Sequence, residues 1–250
     1  MEKFKRYVPI DYSKYEKEEG PFEAKYGLPE KVKFCKRCLI SNQRPNSETE
    51  HTHNIETSKK TVVFDDEGVC DACRFAEIKH ADFDWDKRER ELSELCDRFR
   101  RSDGEYDCLV PGSGGKDSHY AAYLLKYKYK MHPLLMTFSP HAYTPWGWDN
   151  LQSWINGGSS HIMYSPMGRV YRLLTRIAFE TLLHPLQPFI FGLKNMAPKA
   201  AITYKIPLVF YGENEAEYGN PIDENKISLR DARYYSIEDR SKAYLAGTPI

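Results

Sequence analysis

The sequence predicts an α/β fold: a parallel sheet with helices on both faces, preceded by a small metal-binding domain. From Tyr106 onward, short apolar runs alternate with helix-like stretches, a pattern typical of βαβ units. Before residue 81, two Cys-x-x-Cys pairs stand in a polar stretch that has too few apolar residues to fold without a ligand. The chain therefore divides into an irregular N-terminal arm, a metal-binding domain, and a linking helix followed by the α/β domain, at residues 1–33, 34–80 and 81–250.

Periodicity and caps place the elements of the α/β domain. Asp84 can cap the linking helix DFDWDKRERELSELCDRFRR, in which acidic residues come first and basic residues last, as the helix dipole favours. The predicted strands are YDCLVP, PLLMTFS, HIMYS and IPLVFYG. The predicted helices between them are DSHYAAYLLKY, WDNLQSWIN, GRVYRLLTRIAFETLL and NMAPKAAITYK.

Length and composition limit the classes of function. A chain of 250 residues with 41% hydrophobic residues is long enough for one main domain and a small appendage. The 36 basic and 36 acidic side chains balance, which disfavours a general attraction to nucleic acid or to an anionic membrane. The chain has neither an apolar run of ~20 residues nor the apolar core of a signal peptide at its start. We therefore expect a soluble, cytoplasmic protein with no membrane or nucleic-acid partner.

The two Cys-x-x-Cys pairs predict a structural Zn²⁺ site, because four thiolates suit tetrahedral zinc. The ligands would be Cys35, Cys38, Cys70 and Cys73. The gap between the pairs is longer than usual, and the polar insert SNQRPNSETEHTHNIETSKK explains it as an inserted loop in a zinc ribbon. His51 and His53 in this insert are alternative ligands, although we expect them at the surface. Cys96 and Cys108 are expected to be buried as small apolar residues.

A glycine-rich loop, PGSGGKDS, follows the first predicted strand and precedes a helix. Ligands of parallel sheets bind beyond the carboxyl ends of the strands, and glycines let the backbone approach an anion at a helix N-terminus. The loop is not a Walker A motif, because Val110 stands where the first glycine is needed. It is not GxGxxG either, because Lys116 and Asp117 follow the paired glycines. The loop predicts a phosphate site of another type, and an ordinary βα turn is the alternative.

The segment SGGKDS, residues 113–118, resembles the PP-loop of the ATP pyrophosphatase superfamily, whose fold is adenine nucleotide α-hydrolase-like. Those enzymes cleave ATP between the α and β phosphates. The resemblance implies that Ser113 and Ser118 donate hydrogen bonds to pyrophosphate, that Lys116 neutralises its charge, and that Asp117 holds Mg²⁺. The residues that would contact the phosphates are Gly112, Ser113, Gly114, Gly115, Lys116, Asp117 and Ser118.

A second stretch, IPLVFYGENEAEYGN, runs from the last predicted strand into an acidic loop. It is similar to the Gly-x-Asn-x-x-Glu element near the magnesium ion of some PP-loop amidating enzymes. The resemblance makes Gly212, Glu213, Asn214 and Glu217 candidates for Mg²⁺ and phosphate contacts, with Glu217 beside Asp117 as a magnesium ligand. An acidic, solvated loop is the alternative. The end of the second strand, Thr137, Phe138 and Ser139, is expected to pass the adenine.

From Phe34 onward the chain resembles the N-acetyl sugar amidotransferases of the WbpG and PseA type. The matching stretches are FCKRCLISNQRP, FDDEGVCDAC, YDCLVPGSGGKDSHYAAY, PLLMTFSP, GWDNL, HIMYSP and IPLVFYGENEAEYGNP. The resemblance implies that ATP adenylates the acetamido oxygen of a nucleotide-linked sugar and that ammonia then displaces AMP. The product would be an acetamidino sugar for bacterial O-antigen, a part of lipopolysaccharide, or for flagellin glycan. A glutaminase and a cyclase-like subunit, resembling the histidine-pathway pair, would supply the ammonia.

Family chains generally run longer, so part of the sugar pocket is expected to be missing here. Trp146 and Trp148 offer rings for sugar stacking, or they belong to the core. Arg169 and Arg172 would contact the sugar's phosphates, or they are ordinary exposed arginines of a helix.

Two other functions stay open. A PP-loop enzyme that thiolates tRNA would share the zinc ribbon and the loop, but such enzymes commonly carry a reactive cysteine downstream, and no cysteine follows Cys108. A non-enzymatic zinc-ribbon adaptor with a degenerate nucleotide fold is the other, and the intact SGGKDS disfavours it.

Overall fold

The computed structural model describes residues 26–47, 49–213 and 229–250. Its central sheet has four parallel strands in the order β3-β2-β1-β4. They are β1 (Cys108–Pro111), β2 (Pro133–Phe138), β3 (His161–Tyr164) and β4 (Leu208–Val209), and a hairpin of β5 (Tyr244–Leu245) and β6 (Thr248–Pro249) lies near the C-terminus. The α/β class and the parallel sheet that the sequence predicts are confirmed.

The helices are α1 (Asp71–Ala81), α2 (Trp85–Phe99), α3 (Lys116–Tyr123), α4 (Pro145–Ile155), α5 (Gly168–Leu182) and α6 (Gln187–Thr203). The Asp84 carboxylate accepts a hydrogen bond from the Lys87 N–H, so the predicted cap of the linking helix is confirmed. In the described part of the chain, no helix is both long and apolar enough to cross a membrane.

Two helices differ from the prediction. The last one begins at Gln187 rather than at Asn195, because Pro188 suits a first turn, and it then continues through Pro198. The other, α1, was not predicted; it starts directly after Cys70, whose Sγ accepts a hydrogen bond from the Cys73 N–H. The predicted helix after the glycine-rich loop is present, and it ends in a π-helical segment, Leu124–Lys128.

Helices cover both faces of the sheet. On one face, Val110 and Leu135 pack in a cluster with Trp154 of α4. On the other face, Leu109, Leu134 and Met136 pack against three alanines of α6, Ala197, Ala200 and Ala201. All six residues of β2 are buried, as expected for a strand covered on both sides. Cys96 and Cys108 are fully buried, as predicted.

The strand order opens a crevice between β1 and β4. The chain passes from β1 to β2 on one side of β1, and it returns to pair β4 on the other side. At such a switch point the loops beyond the carboxyl ends diverge, and ligands of open α/β sheets bind there. The glycine-rich loop leaves β1 at this crevice, and Gly112 still pairs with β2 through a 2.8 Å hydrogen bond to the Met136 carbonyl.

The insert between the two cysteine pairs packs on the α/β domain. The Gln187 side chain donates to the Glu50 carbonyl at 2.9 Å and accepts from the Ala246 N–H at 3.1 Å. Tyr26, in the predicted N-terminal arm, donates to the Leu182 carbonyl at 3.0 Å. His53 of the insert is only 3% exposed, so the expectation of a surface position is wrong for this histidine, because its ring packs between Tyr26 and His184, which lies in the turn between α5 and α6.

Two features require glycine at position 114, a positive φ and a close backbone contact. Comparison with Gly104, which has only the positive φ, separates their contributions to stability. Its φ is +87°, and a Cβ there would lie 2.5 Å from the Asn150 carbonyl oxygen of α4. Gly104 has nearly the same φ, +86°, with nothing within 4 Å of its Cβ position. We expect Gly104→Ala to lower the free energy of unfolding by about 1 kcal/mol and Gly114→Ala by about 3 kcal/mol.

Urea denaturation of the two variants measures this difference. Equal losses of stability would show that φ alone demands glycine at position 114 and that α4 does not press on the loop.

Candidate functional site

Four cysteine sulfurs form a group that could hold a metal ion such as zinc. The Sγ atoms of Cys35, Cys38, Cys70 and Cys73 all lie within 4.8 Å of one another. The Cys35 and Cys73 sulfurs are 4.0 Å apart, and those of Cys38 and Cys70 are 3.6 Å apart. Tetrahedral zinc with Zn–S bonds of 2.3 Å places its sulfurs about 3.8 Å apart. The donor set and its spacing therefore fit zinc, and neither His51 nor His53 belongs to the group.

The backbone around this cluster favours thiolates. N–H groups of Cys38, Cys70 and Arg37 point at the Cys35 sulfur and lower the pKa of that thiol to about 6. Side-chain hydrogen bonding with Cys38, together with burial, raises the pKa of Cys73 to about 12. Four thiolates this close repel one another, so a bound cation is needed to deprotonate all four.

The glycine-rich loop is held between α3 and the end of β4 by close backbone approaches. A Cβ on Gly112 would lie 2.5 Å from the Ser118 side chain, and a Cβ on Gly212 would lie 2.5 Å from the Ser118 N and Cα. Only glycine fits at either place. The contact brings the beginning of the Gly-Glu-Asn-Glu-Ala-Glu stretch against the first turn of α3, beside the SGGKDS loop.

The first turn of α3 presents the loop's charged side chains to solvent. The N-cap is Gly115, which has no side chain to cap the helix, and Ser113 is exposed. Lys116 is 88% exposed, and its Nζ lies 2.7 Å from Asp117 Oδ1. The helix N-terminus and this lysine place positive charge in the crevice, and Asp117 adds a carboxylate beside them.

Ser118 has a different environment from the one its predicted role suggests. It is buried, and its hydroxyl donates to the Gly115 carbonyl at 3.2 Å within the first turn of α3. The Ser118 hydroxyl was expected to donate a hydrogen bond to pyrophosphate, but in the structure it donates to a protein carbonyl. The contacts with Gly112 and Gly212 make Ser118 the packing centre of the loop.

The end of β2 borders the same edge of the sheet. The Thr137 hydroxyl donates to the Gly112 carbonyl at 2.7 Å, which ties β2 to the start of the loop. Phe138 is buried and stacks with Tyr164 at a centroid distance of 5.8 Å. Ser139 donates its N–H to the Tyr164 carbonyl at 2.8 Å. Adenine recognition by these residues stays a prediction.

The acidic stretch after β4 is described only at its beginning. Glu213 is exposed, one residue after the Gly212 contact with α3. Asn214 and Glu217, predicted to contact phosphate and Mg²⁺, lie outside the described residues. The magnesium pair of Asp117 and Glu217 therefore stays a prediction.

The tryptophans of α4 divide between core and surface. Trp154, for which the sequence analysis made no specific prediction, is fully buried, and its ring lies 3.2 Å from the Cβ position of Gly112. Trp146 and Trp148 are both exposed, so the core interpretation of these two residues is wrong. The five-residue spacing from the buried Leu151 could have shown this for Trp146, whereas Trp148 lies three residues from Leu151, a spacing that shares a helix face. On α5, Arg169 and Arg172 are exposed.

A buried group of charges joins the insert to α6, and the sequence analysis missed it. Lys194 is fully buried, and its Nζ lies 4.9 Å from the centre of the Tyr234 ring. Burial raises the pKa of Glu50 to about 7, although Lys194 and Lys59 oppose this. The His184 Nε2 is 4.0 Å from Glu50 Oε2. The burial of Lys194 and Glu50 could not be predicted, because nothing in the sequence around an isolated lysine or glutamate indicates that it is buried.

Comparison with known proteins shows a partial similarity but does not assign the chain to a family. No family model matches the chain. Over 82 residues, the chain is 34% identical to the uncharacterized protein MJ1599 of Methanocaldococcus jannaschii. The aligned part is 32% of this chain and 29% of that protein, so the chain spans less than a third of its relative. Since the relative is itself uncharacterized, the similarity assigns no activity.

The cysteine cluster predicts one zinc ion per chain. We expect Cys38→Ser to lower the zinc content, measured by mass spectrometry of the purified protein, from about one equivalent to below about 0.3, because three thiolates and a hydroxyl bind zinc far more weakly. Cys96→Ser is the matched control, since Cys96 is buried outside the cluster. A wild-type protein purified without metal under reducing conditions, and unable to take up added Zn²⁺, would contradict the prediction.

Because Glu50 is buried, we expect the free energy of unfolding to depend on pH in a distinctive way. Burial raises the pKa of this carboxyl from 4.5 to about 7, so its favourable contribution is complete below about pH 4.5 and is lost as the pH rises through about 7. The loss amounts to about 3 kcal/mol between pH 5 and 8. The neighbouring Lys194, Lys59, His53 and His184 are present in both proteins, so the difference between wild type and Glu50→Gln isolates the carboxyl.

Urea denaturation at pH 5 and pH 8 tests this. We expect wild type to lose about 3 kcal/mol relative to Glu50→Gln over this range. Glu56→Gln, at an exposed glutamate of the same insert, should follow wild type. Parallel pH profiles of wild type and Glu50→Gln would contradict the assignment.

Proposed function

We propose that this protein is an ATP-dependent amidotransferase of the PP-loop type, acting on the acetamido group of a nucleotide-linked sugar. The observation that carries the proposal is the SGGKDS loop at the β1–β4 crevice, packed through Ser118 against Gly212. A glycine loop, a helix N-terminus and the first residues of an acidic stretch meet there, and these elements suit ATP with magnesium. The resemblance to N-acetyl sugar amidotransferases supplies the substrate class.

In this proposal the loop binds the β and γ phosphates, which leave as pyrophosphate. Backbone N–H groups at the start of α3 and the Ser113 hydroxyl donate to the phosphate oxygens. Lys116 turns from Asp117 to the phosphates, which frees the Asp117 carboxylate for Mg²⁺ together with Glu217. An exposed ion pair contributes only about 0–1 kcal/mol, so exchanging its partners costs little.

The proposed chemistry has two steps. The acetamido oxygen attacks the α-phosphorus, forming an O–P bond while the bond to the β-phosphate oxygen breaks and pyrophosphate leaves. Ammonia then adds to the activated carbon, the C–O bond breaks, and AMP leaves with the former amide oxygen. One nitrogen replaces one oxygen, and the product is an acetamidine. The protein contributes positioning and charge neutralisation, since it provides no covalent nucleophile in this scheme.

Ammonia is scarce at neutral pH, so the proposal includes a partner that releases it. A glutaminase with a cyclase-like subunit, resembling the histidine-pathway pair, fits this role by the same family resemblance. The zinc ion is structural in this scheme, because a closed Cys₄ site leaves no open coordination position for substrate.

One surface favours a second candidate function, the modification of tRNA. Phe34 is exposed on the cysteine-rich domain between the exposed Lys33 and Lys36. Basic residues around an exposed aromatic ring are typical of nucleic-acid binding. Bulk tRNA therefore belongs in the assay as a competing substrate.

Release of pyrophosphate and AMP from Mg-ATP tests the proposal. The assay compares UDP-, GDP- and CMP-linked acetamido sugars with bulk tRNA, at a high ammonium concentration. We expect release with one of the sugars, and a product that is lighter by about one mass unit because NH replaces oxygen. Lys116→Ala should reduce the rate at least about 100-fold, since it removes the main positive charge of the loop.

Lys242→Ala is the matched control, because Lys242 is a similarly exposed lysine whose Nζ lies 3.4 Å from an Asp239 carboxylate oxygen. It should leave the rate unchanged, and both variants should unfold at the wild-type temperature. Release that depends on tRNA would replace the sugar proposal with the second candidate function. No release with any substrate, in the presence of ammonium and zinc, would contradict both.

A further inference from the structure

Trp146 lies on the helix that forms one side of the candidate phosphate loop. The helix, α4, follows β2 through the short segment 139–144, so it begins at the carboxyl edge of the sheet. The backbone of α4 touches the loop, because the Asn150 carbonyl oxygen lies 2.5 Å from the Cβ position of Gly114. Trp146 precedes Asn150 by four residues, so the two share a helix face about 6 Å apart along the axis.

The first turn of α4, which contains Trp146, is stabilised by a cap and a proline. Thr144 caps the helix by accepting the Gly147 N–H at 3.0 Å, and Pro145 occupies the first turn. Both features lower the conformational freedom of the turn before any ligand binds. The position of Trp146 relative to the loop is therefore set in advance.

The exposure of Trp146 has no explanation in the packing of the helix. Leu151 and Trp154 supply the buried side of α4, and Trp148 packs edge-on against Tyr143 at 5.6 Å. Trp146 leaves 74% of its surface in water. An exposed indole one helical turn from the contact between Asn150 and the loop offers an aromatic face to a ligand held by the loop.

The chemistry of the loop indicates which part of a ligand would contact the Trp146 ring. Glycines, serines, a lysine and an aspartate suit phosphates, and they offer no apolar surface. A pyranose ring or a nucleobase presents an apolar face that stacks on an indole. In the proposed reaction the sugar must reach the α-phosphate, which lies next to the phosphates that the loop binds.

We propose that Trp146 is the stacking platform for the nucleotide-linked sugar, and that it sets the affinity for this acceptor without contributing to ATP binding. The assignment rests on the proposed function. The nearby α4 backbone positions the ring, and the loop binds the other substrate.

Separate titrations of the two substrates test the assignment. The probes are Mg-ATP and the UDP-, GDP- and CMP-linked acetamido sugars, each titrated calorimetrically into wild type and variants. We expect Trp146→Ala to weaken the binding of the sugar nucleotide about tenfold or more, and to leave the affinity for Mg-ATP within twofold. Trp146→Phe should recover part of the loss, because it keeps an aromatic face. In the pyrophosphate assay, KM for the sugar should rise while KM for ATP stays constant.

Trp85→Ala is the matched control, since Trp85 is a 53% exposed tryptophan at the start of α2. It should change neither affinity. Unchanged sugar affinity in Trp146→Ala, or an equal loss for both substrates, would overturn the assignment, and so would a wild type that binds Mg-ATP but none of the sugars. A wild type that does not bind Mg-ATP contradicts the proposed function itself, so the two failures are distinguishable.

Discussion

The carboxyl edge of the sheet depends on backbone approaches that only glycine permits. Gly112 and Gly212 meet Ser118 from two sides, and Gly114 meets the Asn150 carbonyl of α4, each at 2.5 Å from the position of a Cβ. These contacts draw the ends of β1 and β4, the start of α3 and the middle of α4 around one point. Because backbone atoms, and not flexible side chains, make most of the contacts, the loop has little freedom to shift. A preformed loop is the arrangement that binds an anion without a large ordering cost.

A second constraint acts at α6, where three distant parts of the chain meet. Gln187 bridges the Glu50 carbonyl and the Ala246 N–H, and Lys194 interacts electrostatically with Glu50 and lies 4.9 Å from the centre of the Tyr234 ring. Loss of any one of these buried polar partners would be destabilising, because a charge left without its partner in the interior is costly. The insert of the cysteine-rich domain is thereby tied to the helix that packs on β1, β2 and β4. This contact couples the stability of the metal-binding domain to that of the sheet.

Much of this fold could be predicted because its signals are local. The alternation of strands and helices, the Asp84 cap and the spacing of Cys35 to Cys38 all act within a few residues. The start of α6 and the burial of His53 could not be predicted in this way. Both depend on packing between segments more than 100 residues apart, as in the hydrogen bond from Gln187 to Glu50. Hydrophobic periodicity contains no information about such partners.

In the candidate site, too, some features could be predicted from local sequence and others depend on tertiary packing. This difference matters for how the loop would work. Sequence reasoning identifies the charged residues Lys116 and Asp117, because their chemistry is evident from their type. It does not identify the hydroxyl acceptor of Ser118 or the contact with Asn150, because these belong to the tertiary structure. The backbone of the loop is therefore fixed by buried contacts, whereas its charges remain in solvent and can change partners at little cost. A rigid frame with movable charges suits the proposed function, in which the loop binds a phosphate chain and then releases pyrophosphate.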